Sequence, residues 1–150
     1  MINNEYKNIS EHTNGQLPLN GYLQFLVVTT EKSIKLELVK GVIISIAKYS
    51  EDNWPDDLTW DKQLPQWFLR KIKSNTIEYI KKDERIWDYG SWLDAMKWRG
   101  WIWYSSNLTK DGFEIVLEPQ ILPYSVNPLE YVLYESGIDF ENIIFTEHLH

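Results

Sequence analysis

Residues 34–47 read Ile34-Lys35-Leu36-Glu37-Leu38-Val39-Lys40-Gly41-Val42-Ile43-Ile44-Ser45-Ile46-Ala47. In the first half Ile34, Leu36 and Leu38 alternate with Lys35 and Glu37, the period of a half-buried strand. Lys40-Gly41 then supplies a turn, and Val42 to Ala47 is the most apolar run of the chain. That run is far too short to span a bilayer and predicts a buried strand. Just upstream, Tyr22 to Thr29 is rich in β-branched and aromatic residues, with Leu23, Phe25 and Val27 on one face. Three strands joined by short turns predict an antiparallel meander, because a parallel crossover needs a dozen residues or more.

Downstream the pattern becomes mixed. A helix is expected from about Asp61 to Lys73, capped by Asp61, with Pro65 in its first turn and Arg70, Lys71 and Lys73 at the negative end of its dipole. Residues 76–87 fit neither period and lean towards a short strand. Ser91-Trp92-Leu93-Asp94 resembles a capping box, Trp92, Leu93 and Met96 share a face, and Gly100 ends that helix. Trp101 to Tyr104 is apolar on both faces, which predicts a central strand, and Phe113 to Glu118 alternates cleanly. Asn127 is placed as a cap, with Pro128 first in the helix, Glu130 closing the box and Gly137 ending it. Leu129, Val132 and Leu133 face the core there, and Asn142 to Thr146 makes a last strand. The expectation is a single α+β domain over residues 1–150, with a mainly antiparallel twisted sheet of about six strands and three helices. Residues 1–20 are expected to be partly irregular.

At 150 residues the chain can bury roughly two-thirds of its unfolded surface. No cysteine is present, which excludes disulfides and thiolate metal sites. Without an apolar leader or a spanning segment, the simplest location is the cytoplasm, with no role at a membrane. The net charge of −7 is unevenly spread: residues 1–61 carry −4, residues 62–110 carry +5, and residues 111–150 carry −8 with no Lys or Arg. Forty residues without a base argue against direct nucleic-acid binding and for a basic protein partner.

Most chemistries find no support. Glu147-His148-Leu149-His150 places alternate side chains on one side of a strand, but a metal site at a frayed end is a poor prospect. The loop Ser50 to Asp61 holds five carboxylates and no base, yet lacks the glycine a calcium loop requires. Glycines are scattered singly, so no phosphate-cradling motif exists. A small hydrolase would need two carboxylates converging in a cleft, which no spacing here dictates. No catalytic residue, metal or cofactor is therefore assigned.

Two groups suit a protein interface. Glu130, Tyr131, Tyr134, Glu135, Asp139 and Glu141 fall on the last helix and the turn after it, and combine apolar area with negative charge. Asp52, Trp54, Asp56 and Asp57 set an aromatic among carboxylates, with Trp60 nearby, and Trp54 and Trp60 are the alternative basis for a small-molecule or carbohydrate pocket. Of the eight tryptophans, Trp67, Trp92, Trp101 and Trp103 fall at core positions.

The strand Asp111-Gly112-Phe113-Glu114-Ile115 followed by the Pro128-Leu129-Glu130 to Gly137 helix, in a small acidic cysteine-free chain, resembles the bacterial toxin-immunity proteins. That resemblance implies a cognate toxin, often a basic nuclease, whose active site is covered. A phage-type inhibitor mimicking nucleic-acid charge is a related expectation.

Overall fold

The computed structural model describes residues 4–149. Among these, seven α-helices and four strands follow in the order α1 (Glu5–Glu11), β1 (Tyr22–Thr29), α2 (Lys35–Ala47), α3 (Asp57–Gln63), α4 (Gln66–Lys73), α5 (Ile77–Lys82), α6 (Tyr89–Lys97), β2 (Trp101–Thr109), β3 (Gly112–Pro119), α7 (Asn127–Glu135) and β4 (Ile143–Leu149). The strands form one antiparallel sheet, ordered β2-β3-β1-β4. The α+β class stands, but the expected six strands and three helices are corrected to four and seven.

The largest correction is at residues 34–47, where two expected strands are one helix, α2. Leu36, Val39, Ile43 and Ile46 recur at intervals of three and four, and all are buried in the main core. Ile34 and Leu38, which completed the apparent alternation, are exposed. Burying a large aliphatic side chain contributes roughly 1.5–3 kcal/mol, whereas β-propensity spans only about 1 kcal/mol. One helical face that buries every one of these residues therefore outweighs a strand that buries half. Lys40 and Glu37, 3.5 Å apart, form an ion pair across one turn of its surface.

Prolines and caps explain the next departures. The expected helix from Asp61 to Lys73 is two helices, because Leu64, preceding Pro65, takes an extended ψ of 147°. Asp56 rather than Asp61 caps the first of them, accepting from Thr59 N at 2.9 Å. Residues 76–87 hold a helix and not a strand: Thr76 accepts from Tyr79 N at 3.1 Å and starts α5. Asp88 rather than Ser91 caps α6. In α7 the cap position is Val126, so Asn127 lies inside the helix and the expected capping box is not formed. Gly137 ends that helix with a φ of 106°, a conformation that favours a residue without Cβ.

The core lies between one face of the sheet and the helices. Leu26 and Val28 of β1, Ile115 and Leu117 of β3 and Trp101 and Trp103 of β2 meet the apolar faces of α2, α4, α6 and α7 there. Strand β2 is at the sheet's edge, which corrects its expected central place. Its apolar character has another cause. Helix α1 packs against it, and residues 12–15 run along its open side, where Ser106 N donates to His12 O at 2.9 Å and Gly15 N to Ser106 O at 3.0 Å. Within residues 4–20 a helix and an edge cover are thus joined by irregular chain. No helix among the described residues is long and apolar enough to cross a membrane.

Candidate functional site

The C-terminal group does not come together as a free acidic face. Tyr131, expected at an exposed position, is fully buried. Its hydroxyl donates to Glu135 and accepts from Asn75 Nδ2 at 2.7 Å. Tyr134 lies 2.9 Å, oxygen to oxygen, from Tyr79, and its ring stacks on Phe140 at 4.3 Å between centroids. The Tyr79 hydrogen bond, then burial, pushes the Tyr134 phenol up to about 12. Arg85 is the residue the charge count assigned to another block. Its guanidinium sits 4.2 Å from the Phe140 centroid and is bonded to Asp83 at 2.8 Å. Burial raises the Glu130 carboxyl, Arg85 lowers it and Asp83 raises it again. Of the six residues, only Asp139 and Glu141 are exposed.

The acidic loop behaves differently. Glu51–Asn53 is a single 3-10 turn, closed by Asn53 Oδ1 accepting from Ser50 N at 2.7 Å. Trp60, expected near the surface, is fully buried, and Trp54 packs over it at 4.9 Å between centroids. Asp61 turns away to Lys73 at 2.8 Å, and that bond is the main reason its carboxyl falls below the usual aspartate value. Asp56 is lowered by the Thr59 hydroxyl and then by the Thr59 N–H. Glu51, Asp52 and Asp57 stay exposed, and none of them forms a salt bridge among the described residues.

Glu51, Trp54, Trp98 and Glu118 are among the residues that line a cleft of about 540 Å³. Trp98, just beyond α6, is 61% exposed, and Lys97 Nζ lies 5.2 Å from its ring centroid. Arg99 lies beneath, buried, and each of its three nitrogens donates to the protein: Nε to Trp101 O at 3.1 Å, Nη1 to Met96 O at 2.8 Å, and Nη2 to Glu5. His12 Nδ1 is 2.9 Å from Tyr104 O. A carbonyl can only accept, so Nδ1 carries the hydrogen in that contact. Gln120 Nε2 donates to Glu118 Oε1 at 3.2 Å, which holds that carboxylate and leaves the amide oxygen of Gln120 as a further acceptor.

Of the residues expected at an interface, the structure brings Trp54 to the lining of this cleft, while Asp52 lies in the preceding 3-10 turn and Asp56 and Asp57 at the start of α3, outside that lining. It does not bring the C-terminal group there. Trp98, Glu118, His12 and Gln120 were missed. Trp98 alone carried a local signal, since it lies off the Trp92–Leu93–Met96 face of the expected helix. No group of three His, Asp or Glu side chains that could hold a metal ion occurs among the described residues. Glu147 instead accepts from Tyr22 and, at 2.9 Å, from Tyr124, the His148 ring packs 5.0 Å from Phe25, and His150 lies outside the described residues.

Compared with known families, with curated proteins and with solved structures, the chain matches none.

Proposed function

We propose that this domain is a protein-binding module that captures a basic partner, in the manner of an immunity protein covering a toxin's active site or substrate groove. The observation that carries the reading is a cleft lined by Glu51, Trp54 and Trp98, with Asp52 next to Glu51 in the chain and both carboxylates exposed and without a salt bridge among the described residues. Uncompensated surface carboxylates accelerate encounter with a basic protein, and partly exposed tryptophans supply the desolvated anchor that slows its release.

Capture from native lysate at low salt, followed by rising salt washes, tests this. A single basic protein should elute in a narrow salt window, and Glu51→Lys with Asp52→Lys should abolish its capture. Equal capture by the charge-reversed variant would overturn the reading. A second reading has one observation in its favour: about 540 Å³ falls in the size range of small-molecule sites. Saturable binding of a neutral sugar, with no protein captured, would replace the first reading with that one.

A further inference from the structure

Resting on the reading of a basic protein partner, we propose that the Trp54–Trp98 cleft is the seat of one arginine side chain of that partner. The polar groups decide the ligand's sign. The cleft lining offers the Glu51 and Glu118 carboxylates and the Gln120 amide oxygen as acceptors. Among the described residues of its lining, the one Lys or Arg without an ion pair is Lys97. Arg99 is buried and its charge is matched by Glu5. An acceptor-rich site selects a ligand rich in donors, and a guanidinium presents five N–H groups in one plane. Its flat face also stacks on tryptophan, which an ammonium cannot do.

The chain already uses this arrangement twice. Arg99 lies 5.2 Å from the Trp101 centroid while it pairs with Glu5, and Arg85 lies 4.2 Å from Phe140 while it pairs with Asp83. The cleft repeats the aromatic and carboxylate halves of that pattern at Trp98 and Glu118, and the arginine in its lining, Arg99, is already engaged by Glu5, Met96 O and Trp101 O. Lys97 partly fills the role, over the Trp98 ring but bonded to neither acid.

The test is a titration of the ¹⁵N-labelled full chain with N-acetyl-arginine amide, its neutral isostere N-acetyl-citrulline amide, and the lysine analogue. The tryptophan indole N–H signals are followed. The arginine probe should shift the Trp54 and Trp98 signals saturably, and citrulline should bind at least tenfold more weakly. Lysine should fall between them. Trp98→Ala and Glu118→Gln should each weaken the arginine probe at least fivefold, and Lys97→Gln, which removes the competing charge, should tighten it. Trp98 is largely exposed, so its removal leaves folding intact.

No saturable shift at those two indoles, or citrulline binding as well as arginine, would overturn the inference. The two ideas fail separately. Partner capture that survives Trp98→Ala but is lost on Glu51→Lys with Asp52→Lys sinks the arginine seat alone. Arginine binding with no basic protein ever captured sinks the wider reading alone.

Discussion

Glu5, in the first turn of α1, accepts from the guanidinium of Arg99 across 94 residues of chain, and both side chains are buried. Its second oxygen takes the Trp103 N–H at 2.7 Å, so one carboxylate joins α1, the end of α6 and strand β2. Burial raises the Glu5 carboxyl more than Arg99 and the Trp103 N–H lower it, which marks how strongly the charge depends on its partners. Arg99→Met removes the matching charge and should cost about 3–5 kcal/mol, read from urea unfolding. Adding Glu5→Gln should recover part of that loss. A single Arg99→Met change costing under about 1 kcal/mol would mean the pair does not anchor the N-terminal helix.

Gly41 gives a direct check on α2. It sits mid-helix, and a Cβ there would meet only Pro65 Cγ at 3.7 Å, an ordinary contact. Gly41→Ala should therefore raise stability by about 0.5–1 kcal/mol. In the turn between two strands that the alternation of Ile34, Leu36 and Leu38 suggests, the same change would lower stability.

The contrast between those two outcomes shows what was legible. Strands β1 and β3 and helix α7 follow from local signals that tertiary packing reinforces: β-branched runs, alternation, and a helix-ending glycine. The stretch from Ile34 to Ala47 carries both periods over its first half, and only the demand to bury Leu36, Val39, Ile43 and Ile46 together selects the helix. For the site, Trp54 stood out because its neighbours in sequence are acids. Glu118, Gln120 and His12 did not, because they meet only after β2 and β3 pair and the N-terminal segment closes the edge. The contacts of the C-terminal group were hidden for the same reason. Asn75, which bonds Tyr131, and Arg85, which lies over Phe140, are 45 or more positions before Glu130 in the chain.

Asp88 offers a pH test. It caps α6 by accepting from Ser91 N at 3.0 Å, and hydrogen bonding from Ser91, side chain first and backbone second, holds its carboxyl below the usual aspartate value. A carboxyl lowered in the folded state stabilises it above the unfolded aspartate pKa, and the contribution is lost as pH falls through the lowered value. Asp88→Ala should cost about 1 kcal/mol near neutral pH, and the gap from the parent should close in strong acid. Asp88→Asn should keep most of the cap at neutral pH and lose the pH dependence. A penalty for Asp88→Ala that stays constant from neutral pH down into strong acid would rule the cap out as its source.

Glu135 separates structure from interface. Read from the sequence, Glu135→Lys should weaken capture of a basic partner. In the fold, Glu135 accepts from the buried hydroxyl of Tyr131, which also takes a hydrogen bond from Asn75. Burial pushes that phenol far up, and Glu135 pushes it further, so the group is a donor at any ordinary pH. Replacing Glu135 with Lys removes the acceptor and leaves the donor buried, at a cost of about 1–3 kcal/mol. Tyr131→Phe should cost about 1 kcal/mol, less than Glu135→Lys, because it removes the donor and leaves Glu135 half-exposed to water. Well below its melting temperature, the Glu135→Lys protein should capture a partner as the parent does. Glu51→Lys should do the reverse, with unfolding unchanged within about 0.5 kcal/mol and capture weakened. Unfolding curves and capture assays on the same two proteins decide between the faces, and loss of capture by Glu135→Lys at unchanged stability would return the interface to α7.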